Sequence, residues 1–201
     1  LILTHEQADF DAVGALAAAH LLNGSALPVL PKKMNQNVRR FINLYESELP
    51  FLETTELLGD PIDGIILVDT QSLRTLKNLR KEAVIHVVDH HAEKPTLPAH
   101  WLKTIEKVGA TTTILVHQLK DTNVVFTPSL ATLMLLGIYE DTGSLTYART
   151  NARDRLAAGF LLTQGANLSI LNDFLNHPLS KDQQAIYNKL RDSVETVQVH
   201  G

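Results

Sequence analysis

The sequence predicts an α/β protein: a Rossmann-like, mostly parallel sheet with helices on both faces and a helical C-terminal third. Three observations carry this. Short β-like runs alternate with helical stretches through the first two thirds of the chain, the pattern of strand–crossover–strand units. The runs Ile65-Ile66-Leu67-Val68 and Val84-Ile85-His86-Val87-Val88 are apolar almost throughout, as strands covered on both faces are. Beyond about residue 128 the spacing of apolar residues is helical.

The elements follow in order. Leu1-Ile2-Leu3 is the end of a first strand, followed by a polar loop. Ala12 to Leu22 is an Ala/Leu-rich helix stopped by Asn23-Gly24. Ala26 to Leu30 is expected to form a second strand. Val38, Phe41, Ile42 and Tyr45 give Gln36 to Tyr45 helical spacing. The Ile65–Val68 strand ends at Asp69, and Leu73 to Leu79 is expected to be a short helix. The Val84–Val88 strand ends at Asp89-His90-His91, a loop holds Pro95 and Pro98, and Trp101 to Glu106 alternates like a strand. Helices are then expected over Ala110–Leu119, Ser129–Glu140, Asn151–Thr163, Leu168–Leu175 and Lys181–Val194. Gln183 to Val199 reads as a helix running into a short apolar strand.

The chain has 201 residues, 44% hydrophobic and 20% charged, which is enough for one domain with its own core and argues against a disordered or fibrous protein. It has no cysteine, so thiolate zinc sites, iron–sulfur clusters, disulfides and cysteine nucleophiles are excluded. The formal net charge of −4 supplies no global basic field for nucleic acid. The uncharged stretch from Ala12 to Pro31 is broken by Asn23-Gly24, Pro28 and Pro31, so it does not read as a membrane span. No basic leader precedes the first strand, and a cytoplasmic protein is expected. The absence of an initial Met reads as excision from a longer protein.

Three strand-like runs end in potential metal ligands: Thr4-His5 with Asp9 and Asp11 beyond, Asp69, and Asp89-His90-His91. Ligands of open parallel sheets bind beyond the carboxyl ends of the strands. Adjacent strands lie about 4.8 Å apart, so these residues can converge despite their separation in sequence. Any one of the aspartates alone reads as a turn or capping residue, Asp11 before Ala12 included. Together they crowd negative charge that calls for protons or cations. Two divalent ions would balance Asp9, Asp11, Asp69 and one more carboxylate, with imidazoles as neutral ligands. Mixed carboxylate and imidazole ligation suits Mn²⁺, with Mg²⁺, Co²⁺ or Zn²⁺ as alternatives. An ion pair about 3.5–4 Å apart serves in-line displacement at phosphorus. His20, His86, His100, His117, His177 and His200 read as core or surface residues.

His5-Glu6-Gln7-Ala8-Asp9-Phe10-Asp11 resembles the first motif of the DHH phosphoesterase superfamily, His-x-x-x-Asp-x-Asp. Leu67-Val68-Asp69-Thr70 resembles its second motif and Asp89-His90-His91 the third. Glu140-Asp141-Thr142-Gly143 resembles the fourth. The four occur in family order over about residues 1–145. The resemblance implies that His5, Asp9 and Asp69 hold one Mn²⁺. Asp11, Asp69, His90 and Asp141 would hold a second, with Asp69 bridging. Asp89 would orient a ligand histidine, and Asp69 and His91 would act in catalysis, His91 facing the substrate phosphate. Residues 1–180 would form the catalytic domain, and 181–201 a connector helix toward a further domain.

The superfamily includes oligonucleotide exonucleases, nucleotide phosphatases, pyrophosphatases and exopolyphosphatases. The implied activity is hydrolysis of a phosphodiester or phosphomonoester in a nucleotide or short oligonucleotide. Pyrophosphate or polyphosphate hydrolysis is one alternative, and a non-catalytic nucleotide-binding regulatory role is another. The wording Ala8-Asp9-Phe10-Asp11 resembles the subgroup fused to CBS domains and a tRNA-nucleotidyltransferase module, which implies RNA contact through attached domains. Two positions depart from the common pattern: Gln7 where Asn is usual, and Ala15 where Ser often follows the glycine. No Gly-Gly-Gly-His-like motif of the usual second domain is present.

Gly109, Thr111 and Thr112 open a helix either as a phosphate cradle or as a plain threonine cap. Lys32, Lys33, Arg39 and Arg40 form the densest basic stretch, suited to a nucleic-acid backbone or to a solvated helix face. Tyr147 and Arg149 follow the fourth motif closely enough to stack on or pair with a nucleotide.

Overall fold

A computed structural model describes residues 1–57, 59–175 and 181–195. The elements run β1 (Ile2–Leu3), α1 (Phe10–Leu22), α2 (Gln36–Leu44), β2 (Ile62–Val68), β3 (Leu79–Asp89), β4 (Leu102–Ile105), α3 (Thr111–Lys120), α4 (Pro128–Asp141), α5 (Ala152–Thr163), α6 (Leu168–Leu175) and α7 (Lys181–Asp192). The four strands form one parallel sheet in the order β1-β2-β3-β4. The α/β class, the parallel sheet and the helical last third are as read from the sequence. Among the described residues no helix is long and apolar enough to cross a membrane.

The two faces of the sheet are covered differently. Ile2, Val68 and Val88 look toward the helices and join a core built from α1, α3, α4, α5 and α6. Ile65, Leu67 and Val87 look the other way and meet Leu73, Leu76, Leu97 and Trp101. The helix expected over Leu73 to Leu79 is absent. Its leucines lie on the sheet from an irregular segment that turns at Asn78, which has φ +66°, and Leu79 already begins β3. Three leucines at intervals of three satisfy this burial without a helix, and seven residues are too few for a helix stable on its own.

β3 is longer than the apolar run suggested. Its first half, Leu79-Arg80-Lys81-Glu82-Ala83, is largely exposed and charged, so it lacks a burial signature. The strand expected over Ala26 to Leu30 is reduced to isolated parallel bridges, Ile2 with Pro28 and Val29 with Leu52. Pro28 has no N–H to donate, which interrupts the ladder at this edge. The cap of α1 is Asp9, whose side chain accepts from Ala12 N–H, and not Asp11, which sits inside the first turn. The strand expected near 194–199, together with His177 and His200, falls at or beyond the limit of the described residues.

Helices α1 and α4 cross closely because both carry glycine at the contact. A Cβ on Gly137 would lie 2.8 Å from the Phe10 carbonyl oxygen and 3.0 Å from Asp11 Cα. A Cβ on Gly14 would lie 2.9 Å from Thr112 Oγ1 and 3.3 Å from Met134 Cα. This crossing holds the start of α1 beside the end of α4. The Gly137→Ala variant is expected to be net destabilised in urea unfolding. Overpacking costs about 1–3 kcal/mol, against at most about 1 kcal/mol of helix propensity gained. A variant more stable than the parent would show that the contact gives way easily.

Candidate metal centre

The chain leaves β1 toward one side of the sheet, through α1 to the 28–29 edge, and later returns on the other side as β2. Crossovers diverge here, so a crevice opens beyond the carboxyl ends of β1 and β2. His5 and Asp9 follow β1, Asp69 follows β2, and Asp89 ends β3 with His90 and His91 behind it. Asp11 arrives on the first turn of α1 and Asp141 on the last turn of α4. The structure thus gathers His5, Asp9, Asp11, Asp69, Asp89, His90, His91 and Asp141 at one rim.

They form overlapping groups. Ligand atoms of His5, Asp9 and Asp69 lie within 4.8 Å of one another, as do those of Asp11, His90 and Asp141. Asp69 also groups with Asp89, His90 and His91, so it joins the two lobes. Its Oδ2 is 3.2 Å from His5 Nε2, and its Oδ1 accepts from Thr111 Oγ1 at 2.8 Å. Asp69 has φ +55°, a left-handed conformation that aspartate tolerates better than most side chains and that turns the carboxylate off the strand end.

Both histidines are aimed by their far nitrogens. His5 Nδ1 donates to the Glu6 carbonyl at 2.8 Å and His90 Nδ1 to the Val108 carbonyl at 3.3 Å. Since a carbonyl only accepts, each Nδ1 carries the proton and each Nε2 faces the cluster. His90 Nε2 is buried with no hydrogen-bond partner, yet lies 3.2 Å from an Asp141 oxygen and 3.7 Å from an Asp69 oxygen. A lone pair among carboxylates, without a proton donor, is an arrangement that a cation between them satisfies. The donor set, oxygen and imidazole with no sulfur, fits Mn²⁺ or a similar divalent ion.

The electrostatics agree. Burial pushes the Asp9 carboxyl up, and neighbouring Asp69 and Asp141 add to it. Asp11, fully buried, is pushed well above the usual carboxylate range by burial and then by Asp69 and Asp141. The hydrogen bond to Asp69 lifts His5 to about 9. Without ions, protons offset the crowding. Burial tends to raise Asp89, but hydrogen bonds from His91 and Gln71 outweigh it and hold the carboxyl low. The same bond, His91 Nδ1 to Asp89 Oδ1 at 2.8 Å, raises His91, whose ring is half exposed at the mouth of the crevice. Asp89 therefore orients His91, not His90.

The anticipated phosphate cradle at the start of α3 is corrected. Gly109, Thr111 and Thr112 are buried and their amides are taken: Gly109 N–H donates to Asp154, Thr111 and Thr112 N–H to Asp11 at 2.7 and 2.8 Å. The anion at this helix end is Asp11 itself. A threonine cap is not formed either, since the cap residue is Ala110. Lys32, Lys33, Arg39 and Arg40 are exposed, with Arg40 stacked over Phe174. His20, His86 and His117 bond locally to Ala26, Thr104 and Arg153, away from the cluster.

Three supporting residues escaped the sequence reading. Glu140 accepts from Phe10 N–H at 2.6 Å and ties α4 to α1; burial lifts its carboxyl to about 7. Gln71 donates to Asp89 and to the Ala92 carbonyl. Asp154 accepts from Gly109 N–H, Thr113 Oγ1 and Asn151 N–H, and so fixes the loop whose Val108 carbonyl aims His90. Asp154 left a sequence signal as the fourth residue of an Asn-x-x-Asp capping box, and Glu140 stands beside Asp141 in the fourth motif without its bond to α1 being legible.

Fold and rim together define an α/β domain with a carboxylate–imidazole cluster at the switch point of its sheet, of a donor set that suits divalent cations. The chain belongs to the DHH family: the profile described as DHH family, N-terminal domain, matches residues 1–138. It is 36% identical over its whole length to an A-adding tRNA nucleotidyltransferase of Geobacter sulfurreducens, of which it spans 24%. It is 30% identical to a probable manganese-dependent inorganic pyrophosphatase of Staphylococcus carnosus, over 78% of this chain and 52% of that protein. It is 28% identical to the bifunctional oligoribonuclease and PAP phosphatase NrnA of Thermus thermophilus, over 87% of this chain and 52% of that protein. An exopolyphosphatase-related protein from Bacteroides fragilis shares the fold, with a TM-score of 0.70 at 15% identity, over 98% of this chain and 61% of that one.

Proposed function

We propose that the chain is the N-terminal catalytic domain of a two-metal phosphoesterase that hydrolyses a phosphate ester in a nucleotide or short oligonucleotide. The observation that carries this is the pair of ligand groups joined through Asp69, with His90 Nε2 buried and unpartnered between carboxylates. His5, Asp9 and Asp69 would hold one Mn²⁺, and Asp11, Asp69, His90 and Asp141 the other. Divalent ions held there would supply an activated water and offset charge developing on the phosphoryl oxygens. Asp69 holds the lobes at a fixed separation. His91, kept protonated at Nδ1 by Asp89, presents its other edge to the phosphate and to the leaving oxygen. Residues 1–180 act as the catalytic domain and 181–201 as the connector. RNA contact, in this reading, comes through attached domains.

The test is manganese-dependent product release from a panel holding dinucleotides, a nucleoside bisphosphate and pyrophosphate. Cleavage of pyrophosphate alone would move the assignment to a pyrophosphatase. Similarity over this chain's whole length to about a quarter of an A-adding tRNA nucleotidyltransferase supports a second reading, a nucleotide-sensing module. Tight nucleotide binding without turnover in the intact protein would favour it.

Proton competition gives a second expected result. The His5–Asp69 interaction stabilises the metal-free fold fully below pH 6.5, and that contribution is lost as pH rises through about 9. An ion needs the imidazole neutral. Mn²⁺ affinity should therefore rise across this window, with protons released on binding, as read by calorimetry in two buffers. Binding that is independent of pH and releases no proton would contradict the assignment of His5.

A further inference from the structure

Beside the cluster a cavity of about 600 Å³ opens at His90 and His91. Ala92, Ile105 and Val108 give it apolar walls, while Glu93, Glu106, Lys107 and Arg149 bring charge. The two carboxylates are already neutralised from outside the lining: Glu93 by Lys103 at 2.6 Å, and Glu106 by Arg153. Among the described residues, Lys107 and Arg149 have no carboxylate within ion-pair distance. The cavity mouth is thus electropositive on one side, while the adjoining metal cluster is acidic. Both cations are exposed, and neither is part of the ligand set.

We infer that this cavity is a second anion site, in which Lys107 and Arg149 bind a phosphate of the substrate other than the one attacked. The inference rests on the phosphoesterase reading and narrows its substrate class. A guanidinium fork and an ammonium suit phosphate oxygens, and the apolar walls suit the sugar or base between the two phosphates. Pyrophosphate would be used up at the metal cluster and leave the cavity idle. A nucleotide or oligonucleotide with a further phosphate fills both.

The test measures equilibrium binding of three adenylyl dinucleotides, ApA, pApA and ApAp, to the whole chain with Mn²⁺. A phosphorothioate at the internal linkage lets affinity be read apart from turnover. One terminally phosphorylated form should bind about tenfold or more tighter than ApA. The Lys107→Gln/Arg149→Gln pair should bring that ratio to about twofold or less, and Lys107→Arg/Arg149→Lys should retain most of it. Equal affinities of the three ligands for the parent chain would overturn the inference, as would a preference that survives in the glutamine pair. A preference without cleavage of the unmodified dinucleotides would keep the anion site and discard the hydrolase reading. Cleavage without a preference would do the reverse.

Discussion

Asp69→Asn is expected to remove metal-dependent hydrolysis, by a factor on the order of 10³ or more, while the metal-free protein keeps its stability. Asp69 is the residue common to the His5–Asp9 group and the His90–His91 group, so its loss weakens both lobes. Asn retains an oxygen for the Thr111 hydroxyl, which donates at 2.8 Å. It also removes a charge that raises both Asp9 and Asp11, offsetting the lost bond to His5. The measurement is paired: turnover with Mn²⁺, and thermal midpoints with and without the metal. In the parent, saturation of a site at 100 times its dissociation constant adds about 2.7 kcal/mol, and this increment should shrink sharply in the variant. An Asp69→Asn protein that still hydrolyses substrate at the parental rate would end the proposed assignment.

Asp11→Ala should behave differently, losing the metal and also destabilising the metal-free fold by about 2–5 kcal/mol. The Asp11 side chain is buried and takes the amides of both Thr111 and Thr112, at the positive end of α3. Alanine removes the acceptor of both N–H groups. Asn does not rescue them, because its NH₂ would face one amide donor to donor. Urea unfolding in chelator reads this directly, and a loss under about 1 kcal/mol would show that the amides find other partners. The contrast between the two aspartates separates a residue kept for its ligand from one that also holds two elements together.

Much of the site was legible because motif residues fall where apolar runs stop. His5, Asp69 and Asp89-His90-His91 each follow a strand, and a parallel sheet puts strand ends on one rim. Asp141 was legible only by its resemblance to a family motif, since a carboxylate at a helix end ordinarily marks nothing. Sequence spacing misleads where burial is supplied by something other than regular structure. Leu73 and Leu76 have helical spacing but cover the sheet from a loop. Gly109, Thr111 and Thr112 look like an anion cradle, but their amides are occupied by carboxylates of the chain itself, Asp154 of α5 for Gly109 and Asp11 of α1 for the two threonines. Glu140, Gln71 and Asp154 act through hydrogen bonds to residues 130, 18 and 45 positions away, a relation that no local pattern encodes.

What the sequence by itself determined is the parallel α/β architecture and the oxygen and imidazole groups at its strand ends, because periodicity and strand-end position are local properties of the chain. What only the tertiary structure decided is which donors share a lobe, which amides Asp11 occupies, and which cations beside the crevice lack a counter-charge. These depend on the α1–α4 crossing at Gly14 and Gly137, and on ion pairs such as Arg153 with Glu106 that close only when distant segments pack. Electrostatic interaction falls with distance and burial, and neither is defined until the chain has folded.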